Sequence, residues 1–290
     1  MKPPWLKSRP IQGPSLSTHK ILRDVGLNTV CIQAHCPNKD ECWGCQTATF
    51  LILGSKCTRS CRFCSVETAS AGEVVDEKEP EKIVEASGRL DLSYVVLTSP
   101  DRDDLGDLGA GHYVSCIRRL VESGFRVEAL TPDFAGDERL VEQVADSGLS
   151  CFAHNIETVK SISPKIRDAR ASYEQSLKVL SHAKKTNPKL VTKSSLLLGL
   201  GETLGEVEEA MRDLVDLDVD VLVLGQYLRP TTNQVKPRRY YSPREFEELR
   251  MIGFELGFKH VVSKPLARTS YRAREVYELV AGEFKGVRQL

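Results

Sequence analysis

Seven of the nine cysteines in this chain fall between positions 31 and 64, and six of them form two triplets, Cys31-x4-Cys36-x5-Cys42 and Cys57-x3-Cys61-x2-Cys64. Cys45 stands alone between the triplets. Three thiolates on one short loop can hold three irons of a four-iron cluster and leave the fourth without a protein cysteine. The spacing therefore predicts two clusters, with an open iron where chemistry can start. A disulfide framework fits poorly. The chain is 290 residues long, Met1-Lys2-Pro3-Pro4-Trp5 opens no apolar signal region, and the cysteines sit at metal-ligand spacings. Reduced thiolates in a cytosolic, cytoplasmic protein are expected. A structural zinc held by the first triplet and Cys45 is the competing reading, since zinc favours four thiolates.

The rest of the chain must present that chemistry on a stable scaffold. A hydrophobic content of 41% over this length supplies a full core. Forty basic and forty acidic residues cancel, so no global field draws the protein to nucleic acid or to a membrane surface. No run approaches the roughly 18 apolar residues of a membrane span. Short continuous apolar runs at Ala48-Leu53, Tyr94-Leu97, Val127-Leu130, Cys151-Ala153, Leu196-Leu198 and Val219-Leu224 read as parallel strands buried on both faces. Between them the period changes to that of helices, as at Val207, Met211, Leu214 and Val215, or Phe246, Leu249, Ile252 and Leu256. Six alternating units predict an α/β fold, an incomplete (β/α)6 barrel of TIM type. Pro3, Pro4, Pro10 and Pro14 disfavour regular helix in the N-terminal segment through Gly26, which is expected to wrap the barrel.

In such barrels the loops after the strands carry the active site. Here those loops are rich in polar groups. Strand one leads into Cys57–Cys64, strand two into Ser99-Pro100-Asp101-Arg102-Asp103-Asp104, and strand three into Thr131-Pro132-Asp133. Strand four leads into His154-Asn155-Ile156-Glu157, strand five into Gly199-Leu200-Gly201-Glu202-Thr203, and strand six into Gln226-Tyr227-Leu228-Arg229-Pro230. Six loops are expected to converge on one mouth.

The loop Cys57-x3-Cys61-x2-Cys64, with Phe63 before its last cysteine, resembles the radical S-adenosylmethionine superfamily. The first triplet, with Leu27-Asn28-Thr29-Val30-Cys31, Cys36-Pro37-Asn38 and Glu41-Cys42-Trp43, narrows the likeness to the lipoyl synthase family. The resemblance continues through Val96–Asp104, His154–Thr158, Thr192-Lys193-Ser194, Gly199–Thr203, Gly225–Pro230 and Arg268-Thr269-Ser270-Tyr271, nearly the whole chain. It implies a first extension at 1–46 carrying an auxiliary cluster motif, a radical SAM barrel at 47–258, and a C-terminal extension at 259–290. It also implies two 4Fe-4S clusters and S-adenosylmethionine (SAM), whose methionyl amine and carboxylate chelate the open iron. Cys57, Cys61 and Cys64 would hold the catalytic cluster. Cys31, Cys36 and Cys42 would hold the auxiliary one, with the hydroxyl of Ser270 as its fourth ligand. Phe63, Asp101, Asn155, Glu157, Lys193, Gly199 and Gly201 match SAM-contacting positions, with Asn155 and Glu157 at the ribose, Lys193 at the carboxylate and the glycines at adenine.

The implied reaction inserts sulfur at C6 and C8 of an octanoyl chain carried on a lysine, with the auxiliary cluster consumed as the sulfur source. Neither carbon bears an acidic hydrogen, so a primary radical must abstract it. The implied partners are an octanoylated lipoyl carrier domain (a glycine cleavage H protein or a 2-oxoacid dehydrogenase acyltransferase subunit), a low-potential electron donor and an iron-sulfur carrier that rebuilds the cluster. Monomeric behaviour is expected.

The sequence departs from the family in places. The usual arginine-serine-serine-tyrosine run reads Arg268-Thr269-Ser270-Tyr271, so Thr269 is the rival oxygen ligand. Cys45 is an extra thiol, read as space-filling or as an aid to cluster assembly. Plainer readings stand beside the site assignments: helix capping for Asn155, a surface position for Lys193, a tight turn for Gly199 and Gly201, and core packing for Cys116 and Cys151. His35 is not required as a ligand, and His112 and His154 read as satisfied structural histidines. Lys236, Arg238 and Arg239 form a basic stretch after strand six, either a solvated loop or a docking element. Another two-cluster radical enzyme and a non-catalytic iron-sulfur carrier are the alternative functions.

Overall fold

The computed structural model of the chain describes residues 2–6, 15–34, 36–44 and 48–283. His35 and Cys45 lie outside the described residues, as do Pro10 and Pro14. Ten strands follow one another: β1 (Asn28–Thr29), β2 (Thr49–Leu51), β3 (Lys56–Cys57), β4 (Glu67–Thr68), β5 (Tyr94–Thr98), β6 (Arg126–Leu130), β7 (Cys151–Ala153), β8 (Val191–Leu198), β9 (Val221–Gln226) and β10 (His260–Ser263). Helices α1 (Ser15–Val25), α2 (Val30–Gln33) and α3 (Lys39–Gly44) precede β2, and α1 corrects the expectation of no regular helix through Gly26, since the last of the four prolines, Pro14, stands just before its first residue. Helices α4 (Glu79–Arg89), α5 (Ala110–Glu122), α6 (Glu138–Ala145), α7 (Ser163–Ile166), α8 (Tyr173–Thr186), α9 (Leu204–Val215) and α10 (Pro243–Leu256) connect the later strands, and α11 (Ala273–Val280) follows β10.

Eight strands form one sheet in the order β1-β2-β5-β6-β7-β8-β9-β10. From β2 to β10 every pairing is parallel, and β1 alone runs antiparallel, on the outer side of β2. The six expected strands are present and the barrel is open, with β1 and β10 at its edges. β10 adds a seventh parallel strand just beyond residue 258, so the segment 259–290 begins inside the sheet. The apolar run His260-Val261-Val262-Ser263 was too short to read as a strand.

Strand periodicity of two explains the two cores. Val95, Leu97, Val127, Ala129 and Phe152 point outward and pack with Ile83, Tyr113, Ile117, Val141 and Val144 of α4, α5 and α6. Leu196, Leu198, Leu222 and Leu224 do the same against Val207, Met211 and Leu214 of α9 and Phe246 and Leu249 of α10. The alternate residues face inward. There Val191, Val221, Val223 and Cys151 meet Val276, while Tyr94 and Val96 meet Ala273, so α11 fills the barrel interior. Capping boxes at Thr203/Glu206 and Ser242/Glu245 set the starts of α9 and α10.

One charged pair interrupts the inner face. Lys193 Nζ lies 2.6 Å from Glu128 Oε2, and the Tyr94 hydroxyl donates to the same oxygen at 2.9 Å. Burial would depress the lysine pKa, but the neighbouring Glu128 carboxylate outweighs it and holds the ammonium above its ordinary value. Its side chain is 2% exposed and tied to Glu128 on the inner face, level with Ala153 at the end of β7, and Lys193 does not line the cavity described below. The polar stretch Thr192-Lys193-Ser194-Ser195 within β8 marks this polar layer of the interior.

Candidate active site

The loop that carries the second triplet is shaped by a chain reversal after β2. Leu53 and Gly54 take positive φ of 65° and 88°, and a Cβ on Gly54 would collide with Glu73. Glu73 accepts the N–H groups of Ser55 and Lys56, while Glu79 accepts that of Leu53 at 3.0 Å. β3 and β4 then pair, and Ala69 donates to the Cys57 carbonyl, closing a ring of chain around the three cysteines. Each sulfur receives one backbone donor: Cys57 Sγ from Arg59 N at 3.4 Å, Cys61 Sγ from Asp168 N at 3.3 Å, and Cys64 Sγ from Val66 N at 3.5 Å. Such donors suit sulfurs that carry negative charge.

Arg59, between the first two cysteines of the triplet, anchors this loop to the barrel. Its Nη1 lies 2.7 Å from Asp133 and 3.3 Å from Asp101, and its Nη2 lies 2.9 Å from Asp103. One guanidinium thus joins the cluster loop to the ends of β5 and β6. Burial works against charge on Asp133, but Arg59 outweighs it and holds that carboxyl below the usual range. Asp101 goes the other way: burial raises its pKa to about 6 despite Arg59. Burial also pushes the thiols up, Cys57 and Cys61 to about 11 and Cys64 to about 12. These thiols become thiolates only against the charge of bound iron, and metal binding releases their protons. Three thiolates with backbone donors beside an open cavity fit a 4Fe-4S cluster with one accessible iron.

That cavity has a volume of about 270 Å³. The triplet cysteines and Phe63 form one wall, and Asp101, Asn155, Glu157 and Arg167 contribute the facing polar groups. Glu157 holds a left-handed φ of 65° while its backbone bridges to β8 beside Leu196, a strained conformation of the kind found at functional sites. Asn155 Nδ2 donates to Glu157 Oε1 at 3.2 Å, and burial raises the Glu157 pKa. Arg167 donates to Ser172 O and Ser176 Oγ and makes no ion pair among the described residues. Sequence reasoning missed it, because it follows α7 rather than a strand. His154 is a satisfied structural residue: its ring nitrogens bond Thr131 O and Ser176 Oγ at 2.9 Å, and burial lowers its pKa to about 4.

Gly199 and Gly201 do not line this cavity in the unliganded chain. Their N–H groups point to the Glu202 carboxylate, and a Cβ on Gly199 would meet Arg239 O and Gln226. The glycines serve a tight turn at positive φ.

The first triplet lies alongside. The Thr29 hydroxyl accepts from Cys31 N and donates to Thr49 O, fixing α2 on the first parallel strand. Ser65, next to Cys64, donates to Gln33 O at 2.9 Å and so joins the two cysteine segments. The C-terminal run Arg268–Tyr271 closes over both. Asn38 Nδ2 donates to Leu266 O at 2.6 Å, and the Tyr271 hydroxyl donates to Glu41 at 2.8 Å. Arg268 lies within electrostatic range of Cys36 and Glu157. The Thr269 hydroxyl donates to Asn155 Oδ1 at 3.1 Å, on the cavity side, whereas half-buried Ser270 has no side-chain hydrogen bond among the described residues. Among those residues the one trio of His, Cys, Asp or Glu with ligand atoms within 4.8 Å of one another is Glu79-His112-Cys116, where His112 bonds Glu79 at 2.7 Å. Cys45, the fourth thiol of the zinc reading, lies outside the described residues. Cys116 and Cys151 are core residues.

Comparison with known proteins agrees with this geometry. A family model described as the Radical SAM superfamily matches residues 51–214. A lipoyl synthase of Halorhodospira halophila is 53% identical over 280 residues, covering 96% of this chain and 84% of that protein. One from Methanocella arvoryzae is 50% identical over 285 residues, covering 97% and 96%. A mitochondrial lipoyl synthase of Branchiostoma floridae is 50% identical, covering 95% and 75%. Among solved structures, methylornithine synthase (PylB) superposes with a TM-score of 0.57 at 14% identity, covering 73% of this chain and 70% of that one. The hydrogenase maturase HydG gives 0.59 at 15% identity, covering 79% and 54%. At such identities the structural likeness speaks to the fold.

Proposed function

Because the chain belongs to the lipoyl synthase family of radical SAM enzymes, we propose that it turns a protein-bound octanoyl-lysine into a lipoyl group by inserting sulfur at C6 and C8. The observation that supports this reading is the linkage of the two cysteine segments: Ser65, beside Cys64, bonds Gln33, and the segment Leu266–Tyr271 reaches Asn38 and Glu41 of the first segment and, through Thr269, Asn155 in the cavity wall. When bound, the two 4Fe-4S clusters and SAM supply the electron, the primary radical that abstracts hydrogen, and the sulfur.

The chain's own residues hold and orient these parts. Cys57, Cys61 and Cys64 are assigned to the catalytic cluster, with the Arg59 guanidinium fixing their loop relative to Asp101. Asn155 and Glu157 are assigned to the ribose, where an amide can donate to and accept from hydroxyls and a carboxylate accepts from them. Arg167, a cation in the cavity wall that makes no ion pair among the described residues, is proposed alongside Lys193 as a group to meet the methionyl carboxylate. Cys31, Cys36 and Cys42 are assigned to the auxiliary cluster. Ser270 is favoured over Thr269 as its oxygen ligand, because the Thr269 hydroxyl is engaged by Asn155. The barrel wall and α11 close the interior below, leaving one mouth for an octanoyl arm.

The macromolecular substrate is an octanoylated lipoyl carrier, read here as a glycine cleavage H protein or a 2-oxoacid dehydrogenase acyltransferase subunit. A low-potential electron donor and an iron-sulfur carrier complete the cycle. No helix of the described residues is long and apolar enough to cross a membrane, and a cytoplasmic monomer is the proposed working form. The test is anaerobic turnover of reconstituted protein with SAM, dithionite and an octanoyl-lysine peptide, followed by mass analysis. Lipoyl or monothiolated peptide together with 5′-deoxyadenosine is expected. Deoxyadenosine without a sulfur-bearing product would overturn sulfur insertion.

A further inference from the structure

The basic run after β9 does not act as a unit. Arg239 turns away, pairing with Glu245 at 2.7 Å and stacking on the Tyr241 ring at 3.6 Å. Lys236 and Arg238 instead meet Arg62 of the cluster loop and Lys165 of α7 around a groove of about 610 Å³. No acidic side chain lines it, and its floor is apolar, formed by Leu200 and Val235 among others. None of these four cations makes an ion pair among the described residues. Elsewhere around the barrel Arg59, Arg170, Arg239 and Arg250 all have carboxylate partners.

The groove is built, and it adjoins the reaction cavity. Val235 N donates to Arg62 O, Arg62 N donates to Ile166 O, and Arg238 N donates to Gly199 O at 2.7 Å. Gln234 Nε2 donates to Cys64 O at 2.9 Å. Arg62 sits between Cys61 and Phe63, and Ile166 precedes Arg167. All three of those neighbours line the cavity. A body seated in the groove therefore stands one residue away from the mouth.

We propose that this groove is the docking surface for the lipoyl carrier domain, which seats a carboxylate-bearing face against Arg62, Lys165, Lys236 and Arg238 while its octanoyl-lysine arm enters the adjacent cavity. The inference rests on the lipoyl synthase reading above. An arm that reaches a buried site leaves its carrier body outside, and unpaired cations at the entrance speed and orient the encounter with an acidic partner. Such contacts lie at the protein surface and weaken as salt rises.

The experiment uses the two-cluster enzyme and its Lys165→Glu/Lys236→Glu/Arg238→Glu variant, which leaves the cluster loop untouched. KM is measured for an octanoylated carrier domain and for a short octanoyl-lysine peptide, alongside the SAM Kd. The proposal expects the carrier KM to rise about tenfold or more, with peptide KM, kcat and SAM Kd within about twofold of wild type. It also expects the wild-type carrier KM to climb towards the variant's as salt goes from about 50 to 300 mM. The matching Lys165→Gln/Lys236→Gln/Arg238→Gln variant should show a smaller rise in the same direction. An unchanged carrier KM would overturn docking here. So would an equal change in peptide KM or SAM Kd, which would assign the groove to the cofactor or to folding. Turnover of the peptide with no effect on carrier removes the docking surface alone, whereas failure of wild type to thiolate the peptide removes the reaction reading beneath it.

Discussion

The two cysteine segments hold similar ligand sets by different means. The loop Cys57–Cys64 is held from several sides of the barrel: backbone donors reach all three sulfurs, one of them from Asp168, and Arg59 binds three aspartates from two neighbouring strand ends. The segment Cys31–Cys42 leans on the C-terminal segment, with Asn38 and Glu41 reaching across the molecule to Leu266 and Tyr271. A loop held from many sides can keep its geometry through repeated use. A site completed from far along the chain can open without disturbing its neighbour, which suits a cluster that gives up its atoms.

The largest expected effect separates the two directly. Cys57→Ala should bring SAM cleavage to background, while Cys36→Ala should retain 5′-deoxyadenosine formation and lose all sulfur insertion. Iron content and product masses check both, and loss of cleavage in Cys36→Ala would break the comparison. Arg59→Ala comes next, because it leaves buried carboxylates without their cation. A loss of about 3–5 kcal/mol in urea unfolding of the apoprotein is expected, together with poor loading of the second triplet. A midpoint within error of wild type would show that the loop is not anchored through this residue.

Proton linkage offers a smaller lever on the same side of the molecule. The folded pKa of His154 is lowered by burial from 6.5 to about 4, so the unfolded chain binds its proton first as pH falls. The stability it contributes is whole above pH 6.5 and is lost on descent towards pH 4, by about 3 kcal/mol. His154→Gln should flatten that part of the apoprotein's stability profile, and an unaltered slope would exclude His154 as its source. Least of all, Thr269→Val should weaken SAM binding about threefold to tenfold by removing the support of Asn155, with Thr269→Ser close to wild type. Equal loss in both variants would point to packing instead of the hydrogen bond.

Much of this was legible because it follows from local pattern. Cysteine spacing, the six apolar runs and the polar residues after them depend on near neighbours along the chain. What escaped depends on distant ones. Lys193 belongs to a pair with Glu128, 65 positions away, and only strand register places both on the inner face. The clue was the matching interruption of another apolar run by Glu128. Gly199 and Gly201 form a turn closed by Glu202, and a cofactor surface has the same composition. The bond from Thr269 to Asn155, 114 positions away, is likewise revealed by no local motif.

The long reach of the bond from Asn38 to Leu266 also sets an order of events during synthesis. The first triplet leaves the ribosome early, but its closing segment follows 228 positions later. At translation speeds of roughly 5–20 residues per second, that gap lasts on the order of ten to fifty seconds. Within it the second triplet's loop gains its ring through Ala69, then the donor from Asp168 and the bond from Gln234, while Cys31, Cys36 and Cys42 wait for the C-terminal segment. The nascent chain thus completes its two cysteine sites one after the other, and that of the first triplet is finished last.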